Sequence, residues 1–207
     1  GTYIGRLGDG SHPDDGIYIL LKEVLDNAVD EYIMGHGKRI DISLAEGGLC
    51  TVRDYGRGIP LGKVVECVSV INTGAKYNTE VFQFSVGLNG VGTKAVNALS
   101  ARFTVTAFRE GRYKQAEFEQ GKLIHEEEGT STEKDGTLVE FLPDAELFPG
   151  FQFDQHLVEE RLWRYAYLNA GLSLYLNGNQ YVSKRGLLDL LEREMREEAL
   201  YPPLHFV

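Results

Sequence analysis

Cysteine is scarce in this chain of 207 residues: there are two, Cys50 and Cys67, in apolar contexts and without metal-ligand spacing. Two such thiols make no disulfide framework, so a stapled secreted module is excluded and a reducing cytoplasm is the expected compartment. Histidine is sparse and scattered, at His12, His36, His125, His156 and His205, which argues against a histidine-rich metal centre. No apolar run approaches the roughly 20 residues that a membrane span needs, and no signal peptide is visible. Cations are in deficit, with 21 Lys and Arg against 31 Asp and Glu and a net charge of −10. Phosphate contacts need clustered cations, so this segment is not expected to be the main surface for DNA or for an anionic membrane. There is also no initiating methionine before Gly1-Thr2-Tyr3, and an excised domain is expected.

What remains is ordinary globular material. Hydrophobic residues make up 43% and charged residues 25%, enough for one large domain or two small ones with a real core. Asp14 or Asp15 offers an N-cap for a helix running to about Met34, with Ile17, Leu20, Leu21, Val24 and Ala28 at helical spacing. Two strands, 40–45 and 49–53, flank the hairpin signal Glu46-Gly47-Gly48. Residues 61–72 read as helical, 73–85 as a polar mobile lid, and a further helix opens at the glycine-rich segment that ends at Gly92. A β meander is expected over 102–142, then a helix at 154–169, a hairpin around Asn177-Gly178-Asn179 and a last helix at 184–197. Early helices and later strands favour the α+β class.

Three segments carry chemistry. In Glu23-Val24-Leu25-Asp26-Asn27-Ala28-Val29-Asp30-Glu31, Glu23 and Asn27 share one helical face, and Glu31 follows one turn on. A carboxylate at the edge of a core can take a proton from an attacking water, and an amide oxygen beside it suits Mg²⁺, which accepts few protein ligands. In Asp54-Tyr55-Gly56-Arg57-Gly58-Ile59-Pro60, a carboxylate at a strand end suits an exocyclic amine such as that of adenine. Alternate glycines let a flat ring approach, between walls supplied by Val52 and Ile59. In Gly87-Leu88-Asn89-Gly90-Val91-Gly92-Thr93, backbone N–H groups at the start of a helix suit phosphates. Gly90 to Ala95 satisfies the loose dinucleotide pattern but follows no strand, and Gly87 to Lys94 lacks the ending of a P-loop. Each segment alone has a plainer reading as a helix edge, an Asp-Gly turn or a solvated loop. Their order and spacing favour an ATP site that is not a P-loop.

In that order, E-x-x-x-N, D-x-G-x-G and G-L-x-G-x-G resemble the GHKL ATP-binding fold of type II DNA topoisomerases, mismatch-repair ATPases, heat-shock-ninety chaperones and histidine kinases. Tyr3-Ile4-Gly5, Thr73-Gly74-Ala75-Lys76-Tyr77 and Gly136-Thr137-Leu138-Val139 extend the resemblance to the B subunits of bacterial gyrase and topoisomerase IV, over nearly the whole chain. The resemblance implies one domain over 1–207, with helices layered on one face of a mixed, mostly antiparallel sheet and a lid at about 73–86. It implies Glu23 as general base and Asn27 as ligand of Mg²⁺. It implies ATP contacts from Asn27, Glu31, Asp54, Arg57, Gly58, Ile59, Pro60, Lys76, Gly87, Leu88, Asn89, Gly90, Val91, Gly92, Thr93 and Thr137. Asp54 would bind the adenine amine, with Thr137 helping through a water, while Lys76 and the 87–92 backbone would hold phosphates. Arg57, paired with Glu31, and Arg109 would border the pocket that aminocoumarin inhibitors enter.

The implied partners are an A-type subunit, DNA and, on ATP binding, a second B-type subunit; the isolated segment is expected to be monomeric and away from membranes. A lysine for the γ-phosphate would come from a second, transducer domain, so residues 1–207 are expected to bind nucleotide and hydrolyse it poorly. Asn89 and Thr93 stand where many gyrases have histidine and valine, and the segment after Ile59-Pro60 is short, which leaves the gyrase and topoisomerase IV types both open. The rivals are a histidine-kinase catalytic domain, disfavoured by Glu23 and the long 110–207 segment, and an ATP switch without strand passage.

Overall fold

The computed structural model describes residues 7–69 and 92–200. Helix α1 spans Gly16–Ile33 and buries Ile17, Leu20, Leu21, Val24 and Ala28, the stripe read from the sequence, together with Leu25. Asp15 precedes it as expected, yet its side chain makes no cap. Its buried carboxylate instead accepts the N–H groups of Gly10 at 2.9 Å and His12 at 3.0 Å, because the preceding loop folds back over the helix start. Strands β1 (Arg39–Leu44) and β2 (Cys50–Asp54) form the expected hairpin. The helix expected over 61–72 is shorter: a 3-10 turn at Leu61–Lys63 leads into α2 (Val64–Val68), which Ser69 ends by turning extended. Helix α3 spans Gly92–Ala98.

The remaining strands are β3 (Ser100–Arg109), β4 (Arg112–Glu119), β5 (Lys122–Thr130), β6 (Gly136–Pro143), β7 (Ser173–Leu176) and β8 (Asn179–Tyr181). Helix α4 (Gln155–Leu168) precedes β7, and α5 (Leu187–Leu200) follows β8. One eight-stranded sheet runs in the order β5-β4-β3-β6-β2-β1-β7-β8, antiparallel except where β1 meets β7. The meander expectation over 102–142 is therefore corrected: β6 inserts between β3 and β2 instead of lying beside β5. The reason is in the side chains. β6 carries Val139 and Phe141 toward the core and needs apolar neighbours, whereas β5 is a polar edge containing Glu126, Glu127 and Glu128.

Register carries one apolar row across six strands, from Leu176 through Ile42, Val52, Val139 and Val105 to Ala116. All six are buried. Helix α1 packs over β2 and β6, α2 and α3 pack over β3, and α4 covers β7 and β8. Alternation then fixes the site. Asp54 lies two residues beyond Val52, and Thr137 two before Val139, so both side chains project from the ends of their strands on the core face.

Candidate functional site

Those two strand ends, the inner face of α1 and the start of α3 enclose a cavity of about 820 Å³. Its depth belongs to Asp54. The carboxylate Oδ1 accepts the N–H of Gly56 at 3.0 Å and the N–H of Thr137 at 3.3 Å. Burial pushes this carboxyl up to about 6, against the opposing pull of those two hydrogen bonds. Thr137 thus meets Asp54 directly through its main chain, a contact that the sequence could not supply because it spans two distant strands. Val52, Val139, Val24 and Ala28 form apolar wall, and Ile59 and Pro60 extend it toward the mouth.

Charge gathers around the mouth. Arg57 closes on Glu31 through its main-chain N–H at 2.9 Å and its guanidinium at 2.8 and 3.2 Å, the pairing read from the sequence. The hydrogen bond from Arg57 is the main cause that holds the Glu31 carboxyl below the usual carboxylate range. Arg109 donates to the carbonyl of Gly58 at 3.4 Å, so the two arginines share one rim.

Glu23 and Asn27 stand one helical turn apart on α1. Asn27 lines the cavity and gives its amide N–H to Thr93 Oγ1 on α3, and among the described residues its oxygen accepts no hydrogen bond. The amide oxygen of Asn27 is a hard donor of the kind that suits Mg²⁺, which keeps most of its shell for water and phosphate. Glu23 does not line the cavity; it is half-buried beside it. A Cβ on Gly92 would lie 1.9 Å from Glu23 Oε2, so the backbone at the start of α3 approaches this carboxylate closely, and a side chain there would displace it. Burial is the first cause that raises the Glu23 carboxyl above its ordinary range.

Among the expected site residues, Asn27, Glu31, Asp54, Arg57, Gly58, Ile59, Pro60, Thr93, Arg109 and Thr137 thus share one cavity, with Glu23 and Gly92 at its edge. Lys76, Gly87, Leu88, Asn89, Gly90 and Val91, and the lid expected at 73–86, lie outside the described residues. Lys94, half-buried, lines the cavity next to Thr93. Several lining residues escaped the sequence reading. Val139 could have been found by counting two residues from Thr137 along a strand. Asp30 and Cys67 carried no such signal, and Cys67, which lies in an apolar stretch of sequence, is exposed on α2.

The model of a family described as histidine kinase-, DNA gyrase B-, and HSP90-like ATPase matches residues 13–147. The B subunit of DNA topoisomerase 4 from Borreliella burgdorferi is 56% identical over 200 residues, which cover 97% of this chain and 33% of that protein. The B subunit of DNA gyrase from Helicobacter pylori is 34% identical over 224 residues, covering 100% of this chain and 28% of that protein. Among solved structures, the 43K ATPase domain of Thermus thermophilus gyrase B in complex with an aminocoumarin matches with a TM-score of 0.74 at 34% identity, over 93% of this chain and 51% of that one. The chain spans about a third or less of the length of these curated relatives. Among the described residues, no helix is long and apolar enough to cross a membrane.

Proposed function

The chain belongs to the histidine kinase-, DNA gyrase B- and HSP90-like ATPases, and from that premise we propose that it is the Mg-ATP-binding and hydrolysing domain of the B-type subunit in a bacterial type II DNA topoisomerase. The observation that carries the reading is the half-buried Asp54 carboxylate, held by two main-chain donors at the floor of an apolar slot. Its outward oxygen accepts the 6-amino group of adenine, and Val52, Val139 and Ile59 sandwich the ring. The phosphates run toward Thr93 at the start of α3, and the motif Gly87–Gly92 and Lys76 are the further groups assigned to them by the sequence pattern. Asn27 would hold Mg²⁺ through its side-chain oxygen at the cavity wall, and the ion would supply neutralisation of charge on the phosphate oxygens. Glu31 and Arg57 close the mouth as one ion pair, with Arg109 beside them on the inhibitor-binding rim.

In hydrolysis, a water oxygen forms a bond to the γ-phosphorus as the bond from that phosphorus to the β,γ-bridging oxygen breaks. ADP leaves with the electron pair, and Glu23 takes the proton of the water. A carboxyl raised by burial suits that task, because a base closer to neutral pH holds the proton better at the transition state. Most of the rate comes from positioning and charge neutralisation. In the whole enzyme, ATP binding draws two B-type subunits together around one DNA segment, while an A-type subunit cuts and rejoins another. The identities of 56% to a topoisomerase 4 relative and 34% to a gyrase relative support this over a histidine kinase, as does the presence of Glu23.

Glu23→Gln tests the chemistry. In the intact enzyme it is expected to keep nucleotide binding within about twofold and to lower hydrolysis by about 100-fold or more. An unchanged hydrolysis rate would remove Glu23 from the mechanism.

A further inference from the structure

Behind Asp54, on the opposite face of the sheet, lies a cation that the nucleotide chemistry does not use. Arg53 pairs across the sheet with Asp41 and Leu138, and it is only 8% exposed. Its guanidinium sits 4.3 Å from the centre of the Tyr55 ring and 4.7 Å from that of Phe108. It donates to three carbonyls, those of Asp54, Lys134 and, at 3.5 Å, Asp135. Glu133 adds a carboxylate at 3.7 Å. The carbonyls of Lys134 and Asp135 belong to the turn that leads into Gly136 and Thr137. A Cβ on Gly136 would fall 2.1 Å from the Asp54 carbonyl and 2.2 Å from Arg53 Nη1, so the two backbones and the guanidinium meet there without room for a side chain.

Buried arginine needs partners for its five donors, and planar stacking between aromatic rings fixes its orientation. Arg53 therefore does more than fill space. It ties the end of β2 to the entry of β6, and these are the two backbones whose spacing decides whether the Thr137 N–H reaches Asp54 Oδ1.

We propose that Arg53 is a positioning residue for adenine recognition: clamped between Tyr55 and Phe108, it locks the Asp54 carbonyl to the 134–136 turn and so sets the placement of the Asp54 carboxylate against Thr137. The proposal rests on the reading of Asp54 as acceptor of the adenine amine. It makes Arg53 a determinant of selectivity for the 6-amino group that never touches the nucleotide. Its positive charge also opposes the rise of the Asp54 carboxyl, while Glu31 across the cavity promotes it; Arg57 and Arg109 line the same cavity.

The test compares Mg²⁺ with a non-hydrolysable ATP analogue against the same nucleotide lacking the 6-amino group, by calorimetry on wild type, Arg53→Met and Arg53→Lys. Methionine keeps the unbranched stem between the rings and removes every donor. Selectivity for the amino group is expected to fall about tenfold in Arg53→Met and about threefold in Arg53→Lys, with affinity for the amino-free nucleotide held within about twofold. Wild-type selectivity in a folded Arg53→Met overturns the proposal; should that variant fail to fold, wild-type selectivity in Arg53→Lys does the same. Carbon-detected NMR titration of the Asp54 carboxyl supplies a readout that a merely structural role would not move. Its midpoint is expected to rise in Arg53→Met and to stay near the wild-type value in Arg53→Lys. If wild type itself shows no selectivity, the adenine reading fails first, and an unmoved Asp54 titration in Arg53→Met then overturns the hold of Arg53 on Asp54 as well.

Discussion

At Asp54, burial and function pull in opposite directions. Burial raises this carboxyl from 3.8 to about 6, yet accepting an amine requires the ionised form. Both main-chain donors reach the same oxygen, Oδ1, so the other oxygen is the one that meets the nucleotide. Asp54→Asn can keep its carbonyl oxygen on those donors, but it turns an NH₂ toward the adenine amine, donor against donor. ATP affinity is therefore expected to fall about 100-fold, since the unpaired donors must stay buried. The pH dependence follows. Wild-type affinity is expected to decline as pH drops below about 6, where Asp54 takes up its proton, and Asp54→Asn is expected to lose that inflection, which separates it from titration of the nucleotide phosphates. Stability moves the other way. With a folded-state value near 6 above an ordinary value of 3.8, the folded form binds more protons, so stability is lost as pH rises through that window. Asp54→Asn lacks this loss and is expected to unfold at higher temperature than wild type at pH 8, by about 1–3 kcal/mol of stability, and to match it near pH 4. Calorimetric unfolding at the two pH values reads this directly.

At the scale of elements, the contrast between two helix starts shows what local pattern can and cannot tell. Asp154 was readable as the start of its helix, and its Oδ1 accepts the N–H groups of His156 at 2.9 Å and Leu157 at 3.4 Å. Asp154→Ala is expected to cost about 1 kcal/mol in denaturant unfolding, the usual penalty for an N-cap, with nucleotide binding unchanged. Asp15 carries the same local signal and does something else, because a loop from residues 10–12 offers it buried donors. The same division runs through the sheet. The positions of β1 and β2 and the strand content of 102–142 were legible. The insertion of β6 between β3 and β2, and the parallel pairing of β1 with β7, were not, since they join strands far apart in the chain. For the candidate site, the shared cavity of Asn27, Asp54 and Arg57, with Glu23 at its edge, was legible because motif spacing is local. The Thr137 N–H on Asp54, Val139 in the wall, and Arg53 between two rings depend on strand pairing and could only be seen in the fold.

For the whole molecule, a net charge of −10 argues against a broad DNA-binding face on these residues. If the chain serves a topoisomerase, the principal DNA contacts lie on other parts of the enzyme. Fluorescence anisotropy with duplex DNA at physiological salt is expected to show no saturable binding to residues 1–207, and submicromolar binding would contradict that division of labour. The central claim is that one cavity, floored by Asp54, takes adenine with its Mg-triphosphate. Titration calorimetry with a non-hydrolysable ATP analogue and Mg²⁺, on wild type and on Asp54→Ala, tests it most directly. One saturable site in wild type, lost in a mutant that remains folded, is the result predicted. Equal binding by both proteins would mean that Asp54 only shapes a turn and that the nucleotide binds elsewhere.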